Sequence, residues 1–155
     1  MTDQRKKEFS LRITQANKTE LIVILYEMYL DYLREAEDAV EDKWSFREAI
    51  RKARNCLNEL MNSLNFDYET AYHLFQLYMY VSREMTKADI YVDVKPLENC
   101  HMVIVELLTA YREVSRQDTS DPVMENTQTV YAGLTYGKGK LTESLAYQRN
   151  RGILA

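Results

Sequence analysis

Two histidines, two cysteines and one Glu-x-x-His pair are the residues of this chain whose type and spacing could do chemistry. Glu98 and His101 stand three apart, which puts a carboxylate and an imidazole on one face of a helix. Di-iron helix bundles use such a pair twice, together with two further inward glutamates. Here the second half is missing: His73 has Glu69 four residues before it and Thr70 three before it. The pair therefore reads as a first-turn Glu98 that favours the helix dipole and a His101 at the margin of the packing. Cys56 and Cys100 fall singly on expected buried helix faces, and make neither a metal framework nor a disulfide scaffold. They read as reduced core thiols of a cytoplasmic protein. No Gly-rich phosphate loop, Ser/His/Asp set or Cys/His pair stands out, so the sequence predicts no catalytic residue, no metal site, no cofactor and no enzymatic activity.

The elements that carry these residues follow from composition. The chain has 155 residues, 46% of them hydrophobic and 28% charged, enough for one domain with a real core. All four glycines lie between Gly133 and Gly152, and Pro96 and Pro122 are the only prolines. So long a stretch without Gly lacks the turns that sandwiches or alternating strand–helix units require, and is expected to be helical. The longest apolar run, Leu21 to Tyr26, is far short of the ~20 residues that span a bilayer. Met1 to Ser10 is charged and has no secretory pattern. A net charge of −4 argues against non-specific nucleic-acid binding, which needs a Lys/Arg surplus. Arg47, Arg51, Lys52 and Arg54 read as a solvated helix face.

Periodicity predicts four helices. Asn17 with Glu20 is a capping-box pattern that opens the first, whose stripe runs Leu21, Leu25, Met28, Tyr32 and Ala39 to about Asp42. Ser45 with Glu48 opens the second, in which Phe46, Ile50, Ala53, Leu57, Leu60 and Leu64 repeat every 3.5 residues on average, up to Asn65. Asp67 caps a third helix with the stripe Ala71, Phe75, Tyr78, Met85 and Ala88. Asp93 and Pro96 open a fourth with Leu97, Cys100, Ile104, Leu107, Leu108, Tyr111 and Val114. Short connections make neighbouring helices antiparallel. The expected fold is all-α, an up-down-up-down four-helix bundle over residues 17–116, with an N-terminal segment 1–16 and a long Gly-containing tail 117–155. Residues 130–155 hold nine large apolar or aromatic side chains, rich for a solvated tail, so part of the tail is expected to pack on the bundle.

Some helices carry more apolar surface than a bundle core needs, which is about three residues in seven. The second helix is one-sided, but the first adds Val23, Tyr26 and Leu30 on a shoulder, the third adds Tyr72, Met79 and Tyr80, and the fourth adds Met102 and Val105. Tyr offers large area with a polar tip, and Met adapts to irregular partners. Such shoulders suggest a groove for an amphipathic helix, whose anchors would contribute about 1.5–3 kcal/mol each.

At this point the residues resemble a family. Ile13-Thr-Gln-Ala-Asn-Lys-Thr-Glu-Leu-Ile22 followed by Leu25-Tyr26-Glu27 is similar to the opening helix of the flagellar export chaperones called FliS. Lys52-Ala53-Arg54 with Leu57 to Leu64 resembles their second helix, and Leu74 to Tyr80 with Lys87-Ala88 their third. The likeness covers about residues 12–112. It implies a cytosolic, non-enzymatic helical chaperone that binds the disordered C-terminal segment of flagellin, prevents its premature polymerisation and supports type III export. The flagellar export gate and other flagellar regulators are further implied partners, with no membrane insertion. From the shoulders and the matched helices, the expected contact residues are Ile13, Val23, Tyr26, Leu30, Leu57, Met61, Leu64, Tyr72, Met79 and Tyr80. An adaptor for another flagellar regulator or export component would have the same fold and differ only in its partner. The chain departs from the family at Glu27-Met28, where Asp-Gly is frequent, and at Tyr111, where Trp is common. Tyr147 to Asn150 carries a Tyr-x-x-Asn pattern that the family has near its N-terminus. Residues 5–16 or 130–155 are expected to cover an apolar groove until a client displaces them.

Overall fold

A computed structural model describes residues 1–125, and all regular structure among them is helical. Five helices follow in order: α1 Asp3–Gln15, α2 Lys18–Asp38, α3 Lys43–Asn62, α4 Glu69–Tyr91 and α5 Lys95–Gln117. The last four are the expected ones with adjusted ends. Asn17 does cap α2, its side-chain oxygen accepting from the Glu20 N–H at 2.9 Å. The end of α2 falls at Asp38 rather than Asp42, because Asp42 is used as the cap of α3, accepting from the Trp44 N–H. Helix α3 thus begins before Ser45, whose hydroxyl donates to the Asp42 carboxylate. At α4 Asp67 is not the cap; Tyr68 holds that place without a side-chain bond. Pro96 lies in the first turn of α5, as its missing N–H requires.

Helix α1 is the element the periodicity missed. Thr2 caps it through Arg5 N–H, and Arg5–Glu8 and Lys6–Asp3 pair across its exposed turns. Its one buried side chain, Phe9, joins Ala16 of the α1–α2 turn and Ile24 of α2 in a second small core, with Ile13, Leu21 and Met28 packed against it. Residues 1–16 are therefore a helix that packs on α2.

The main core lies among the other four helices. Helix α2 packs against α3 and α5, and α4 against α3 and α5, closing a cycle of contacts. Tyr26, Tyr29 and Leu33 of α2, Phe46, Leu57 and Leu60 of α3, Tyr78 and Met85 of α4 and Leu97 of α5 are sealed from solvent. On α4 the buried row is Ala71, Leu74, Tyr78, Val81, Met85 and Ala88, an alternating three-and-four spacing. That row keeps Ala71, Tyr78, Met85 and Ala88 of the expected stripe; Phe75 alone is exposed, and Leu74 and Val81 beside the stripe take inward places. Both cysteines are free and buried. Burial pushes the Cys100 thiol up to about 11 and the Cys56 thiol to about 12, so neither is a thiolate at neutral pH.

Helix α4 ends on a left-handed residue, Val92, with φ 51° and ψ 54°. That turn lets the Asp93 N–H reach Ala88 O at 3.1 Å. A β-branched residue in this region is an outlier, and the conformation costs an L-residue with a Cβ about 1–2 kcal/mol. Val92 is only partly buried against the core, so Val92→Gly is expected to raise the unfolding free energy by about 0.5 kcal/mol, strain relief exceeding lost packing. A lowered denaturant midpoint would show that the packing matters more.

Candidate functional site

Of the ten expected contact residues, Val23, Tyr26 and Leu30 of α2 are core side chains, a correction to the shoulder assigned to that helix, and Leu57 is buried in the core stripe of α3. The face read as surplus is the main core face of α2, while the expected stripe of Leu21, Leu25, Met28, Tyr32 and Ala39 is only partly buried, Leu21 and Met28 packing against the small core. At that core face the Tyr26 ring lies 5.6 Å from Tyr111 of α5, and its hydroxyl hydrogen-bonds that of Tyr78. Burial pushes the Tyr78 phenol up to about 12 and raises Tyr26 further, its neighbour Tyr78 adding to the effect. Tyr111 completes a three-tyrosine contact among α2, α4 and α5. Ile13 is half-buried in the small core, and Met61, Leu64 and Tyr80 are partly buried against the main one. Tyr80, expected as surplus surface with Tyr72 and Met79, is half-buried. It is drawn in because Glu84, one turn on, hydrogen-bonds Asn99 of α5, so this side of α4 faces its neighbour.

Tyr72 and Met79 are the two expected residues that lie open, 55% and 37% exposed. With Phe75 they form one row on α4, spaced by three and four. The row continues through Ser82 and Thr86, whose hydroxyls accept from Arg54 of α3 at 3.0 and 3.1 Å. It therefore runs along the α3 side of α4. Met61 lies two turns beyond Arg54 on α3 and borders the same seam.

The α3–α4 turn adds what sequence reasoning missed. The Asn65 side chain accepts from the Asp67 N–H at 3.0 Å and the Asn65 carbonyl from the Tyr68 N–H at 3.2 Å, a compact turn that presents Phe66 outward. The Phe66 ring stands 5.1 Å from Tyr72 and 5.8 Å, edge-on, from Phe75. All three rings are substantially exposed, so aromatic side chains pack on one another at the surface, beside Asp67 and Glu69. Phe66 breaks no periodic stripe and lies in a turn; its one sequence signal is a large aromatic where polar residues are the norm.

The chemical candidates come to little. Glu98 is exposed and His101 half-buried. Among the described residues no group of three His, Cys, Asp or Glu could hold a metal ion, and no helix is long and apolar enough to cross a membrane. The Glu27 carboxylate is engaged otherwise. It accepts from Arg12 of α1 and, at 3.1 Å, from Arg112 of α5, while Arg12 also binds Glu20 at 2.7 Å. Burial raises the pKa of Glu27, but the two guanidinium partners outweigh it and hold the carboxyl below its ordinary range. Met28 packs against both cores. Glu27 and Met28 thus supply an ion-pair hub and a bridge between the cores.

The chain is similar to the flagellar secretion chaperone FliS of Bacillus subtilis (strain 168), with 26% identity over 111 residues, which are 70% of this chain and 84% of that protein. The family model described as flagellar protein FliS matches residues 1–118, all five helices together. By that match the chain belongs to the FliS family.

Proposed function

We propose that this protein is a flagellar export chaperone that binds the C-terminal segment of flagellin in the cytosol, keeps it from polymerising and supports its type III export. Its relative in Bacillus subtilis bears the name flagellar secretion chaperone, and the all-helical fold suits a non-enzymatic holding role without cofactor. We read α2–α5 as an antiparallel up-down-up-down bundle, and hydrogen bonds between α3 and α4 support it for that pair. Arg47, early in α3, donates to Asp89 O late in α4, and Arg54 donates to Ser82 and Thr86 further back. The observation that carries the function is the open row of Tyr72, Phe75 and Met79 along the α3 side of α4. A flagellin segment that folds as an amphipathic helix there would exchange its ordering cost for apolar burial. We take Tyr72, Met79 and Met61 as the main contacts and Leu64, Tyr80 and Ile13 as lesser ones. Val23, Tyr26, Leu30 and Leu57 act through the bundle they stabilise.

Co-expression with flagellin is expected to give a soluble one-to-one complex that is lost when flagellin's last helices are deleted. Tyr72→Ala with Met79→Ala removes two anchors of about 1.5–3 kcal/mol each, so calorimetry is expected to show a dissociation constant raised by about a hundredfold or more. An unchanged constant in a folded double variant would overturn this site. A complex with a different flagellar regulator, and none with flagellin, would instead make the protein an adaptor on the same fold.

A further inference from the structure

We propose that the aromatic corner of Phe66, Tyr72 and Phe75 is a docking site for this chain's own residues 126–155. Three observations carry it. The first is the corner itself: the Phe66 ring, 44% exposed, packs on both Tyr72 and Phe75, a surface that solvated helix faces do not carry.

The second is where the described chain stops. Leaving α5, Asp118 binds the Thr19 hydroxyl, the Asn17 amide donates to Asp118 O and Ser120 O, and the Val123 N–H reaches Ala16 O at 3.0 Å. The chain is thus led to the end of the molecule where α2 begins. Helix α4 has its aromatic start at that same end. As α5 advances from Asn99 and Cys100 toward Tyr111, its partners on α4 step back from Glu84 and Val81 to Tyr78, reached through Tyr26. Beyond Tyr78 in that direction come Phe75, Tyr72 and Phe66. Thirty residues, at 1.5 Å each even if fully helical, give a reach of about 45 Å, longer than any helix of the bundle.

The third is complementarity. Residues 126–155 contain Tyr131, Leu134, Tyr136 and Leu141, and four Lys or Arg against one Glu, in a chain whose net charge is −4. The corner is flanked by Asp67 and Glu69, so a basic, tyrosine-rich segment matches both its apolar and its acidic parts. A client seated on Tyr72 and Phe75 would have to displace this segment, and the inference stands whether or not flagellin is that client, because it is tested with no client present.

The test is limited trypsin digestion of the full chain, read at Lys138, Lys140, Arg149 and Arg151. In the native protein these sites are expected to be protected, and Tyr72→Ser with Phe75→Ser to raise the cleavage rate about tenfold, as cleavage follows the open population. Tyr131→Ser with Leu134→Ser is expected to do the same from the tail side. That pair leaves the five helices untouched, so it decides the matter even if the corner variant folds poorly. Equal cleavage rates in the native and tail-side variants would overturn the proposal. Protection that disappears on dilution would overturn it too, assigning the corner to a second copy.

Discussion

Tyr26→Ala is expected to lower the unfolding free energy by about 3–5 kcal/mol, the range for emptying an aromatic site in a packed core. Tyr26 has no solvent exposure, touches the Tyr111 ring, and shares a hydrogen bond with the Tyr78 hydroxyl. Truncation removes the ring from among three helices and leaves the Tyr78 hydroxyl buried without that partner. Tyr26→Phe isolates the second part and should cost about 1–2 kcal/mol. Tyr72→Ala, on the open row, should lie within about 0.5 kcal/mol of the native chain. Urea unfolding of the three variants gives the comparison directly. A Tyr26→Ala loss no larger than that of Tyr72→Ala would return Tyr26 to the surface role that its helical position suggested.

Glu27→Ala is expected to cost about 2–3 kcal/mol, between the range for exposed ion pairs and that for breaking a buried one. Its carboxylate is nearly covered while its two arginine partners remain partly open. The loss should fall chiefly on α1, which is held to α2 by a core of few residues and by the ion pairs Arg5–Asp31, Arg12–Glu27 and Met1–Glu35. The pH dependence has a definite sign. Glu27 and Glu35 are lowered from the ordinary 4.5, since the partners of each outweigh burial. A carboxyl lowered by folding contributes stability that is present above its unfolded value and is lost as pH falls through the folded one. Acidification below about 4.5 should therefore raise amide exchange in α1 before α3 or α4. Glu27→Ala should flatten that dependence. Uniform acid exchange across all five helices would show that α1 is no weaker than the rest.

How much of this was legible in the sequence differs by element. Helices α2 to α5 could be found because each carries a stripe long enough to show its period, and Asn17, Asp93 and Pro96 marked real starts. Helix α1 could not, because Phe9, Leu11 and Ile13 alternate as in a strand, and its hold on α2 is largely ionic, with partners such as Asp31 and Glu27 far along the chain. The site was half legible. Tyr72 and Met79 were found as surplus on a helix whose core was otherwise supplied. Val23, Tyr26 and Leu30 showed the same surplus for a different reason: α2 packs against three other helices and is apolar over two arcs, and theirs, not the stripe of Leu21, Leu25, Met28 and Tyr32, is the one sealed in the main core. A helical wheel sees how wide the apolar arc is but not how many neighbours use it. Phe66 was beyond reach because its partners are tertiary. The Tyr147–Asn150 pattern and the expected packing of residues 130–155 lie outside the described residues.

The single tryptophan, Trp44, sits in the first turn of α3 and is 75% exposed. Its indole already meets water in the native protein, so denaturation changes its surroundings very little and its emission is a poor gauge of unfolding. The optical signal of the folded state resides instead in the asymmetric packing of Tyr26, Tyr29 and Tyr78. Near-ultraviolet circular dichroism in the phenol bands is the spectroscopy this molecule's own chromophores favour.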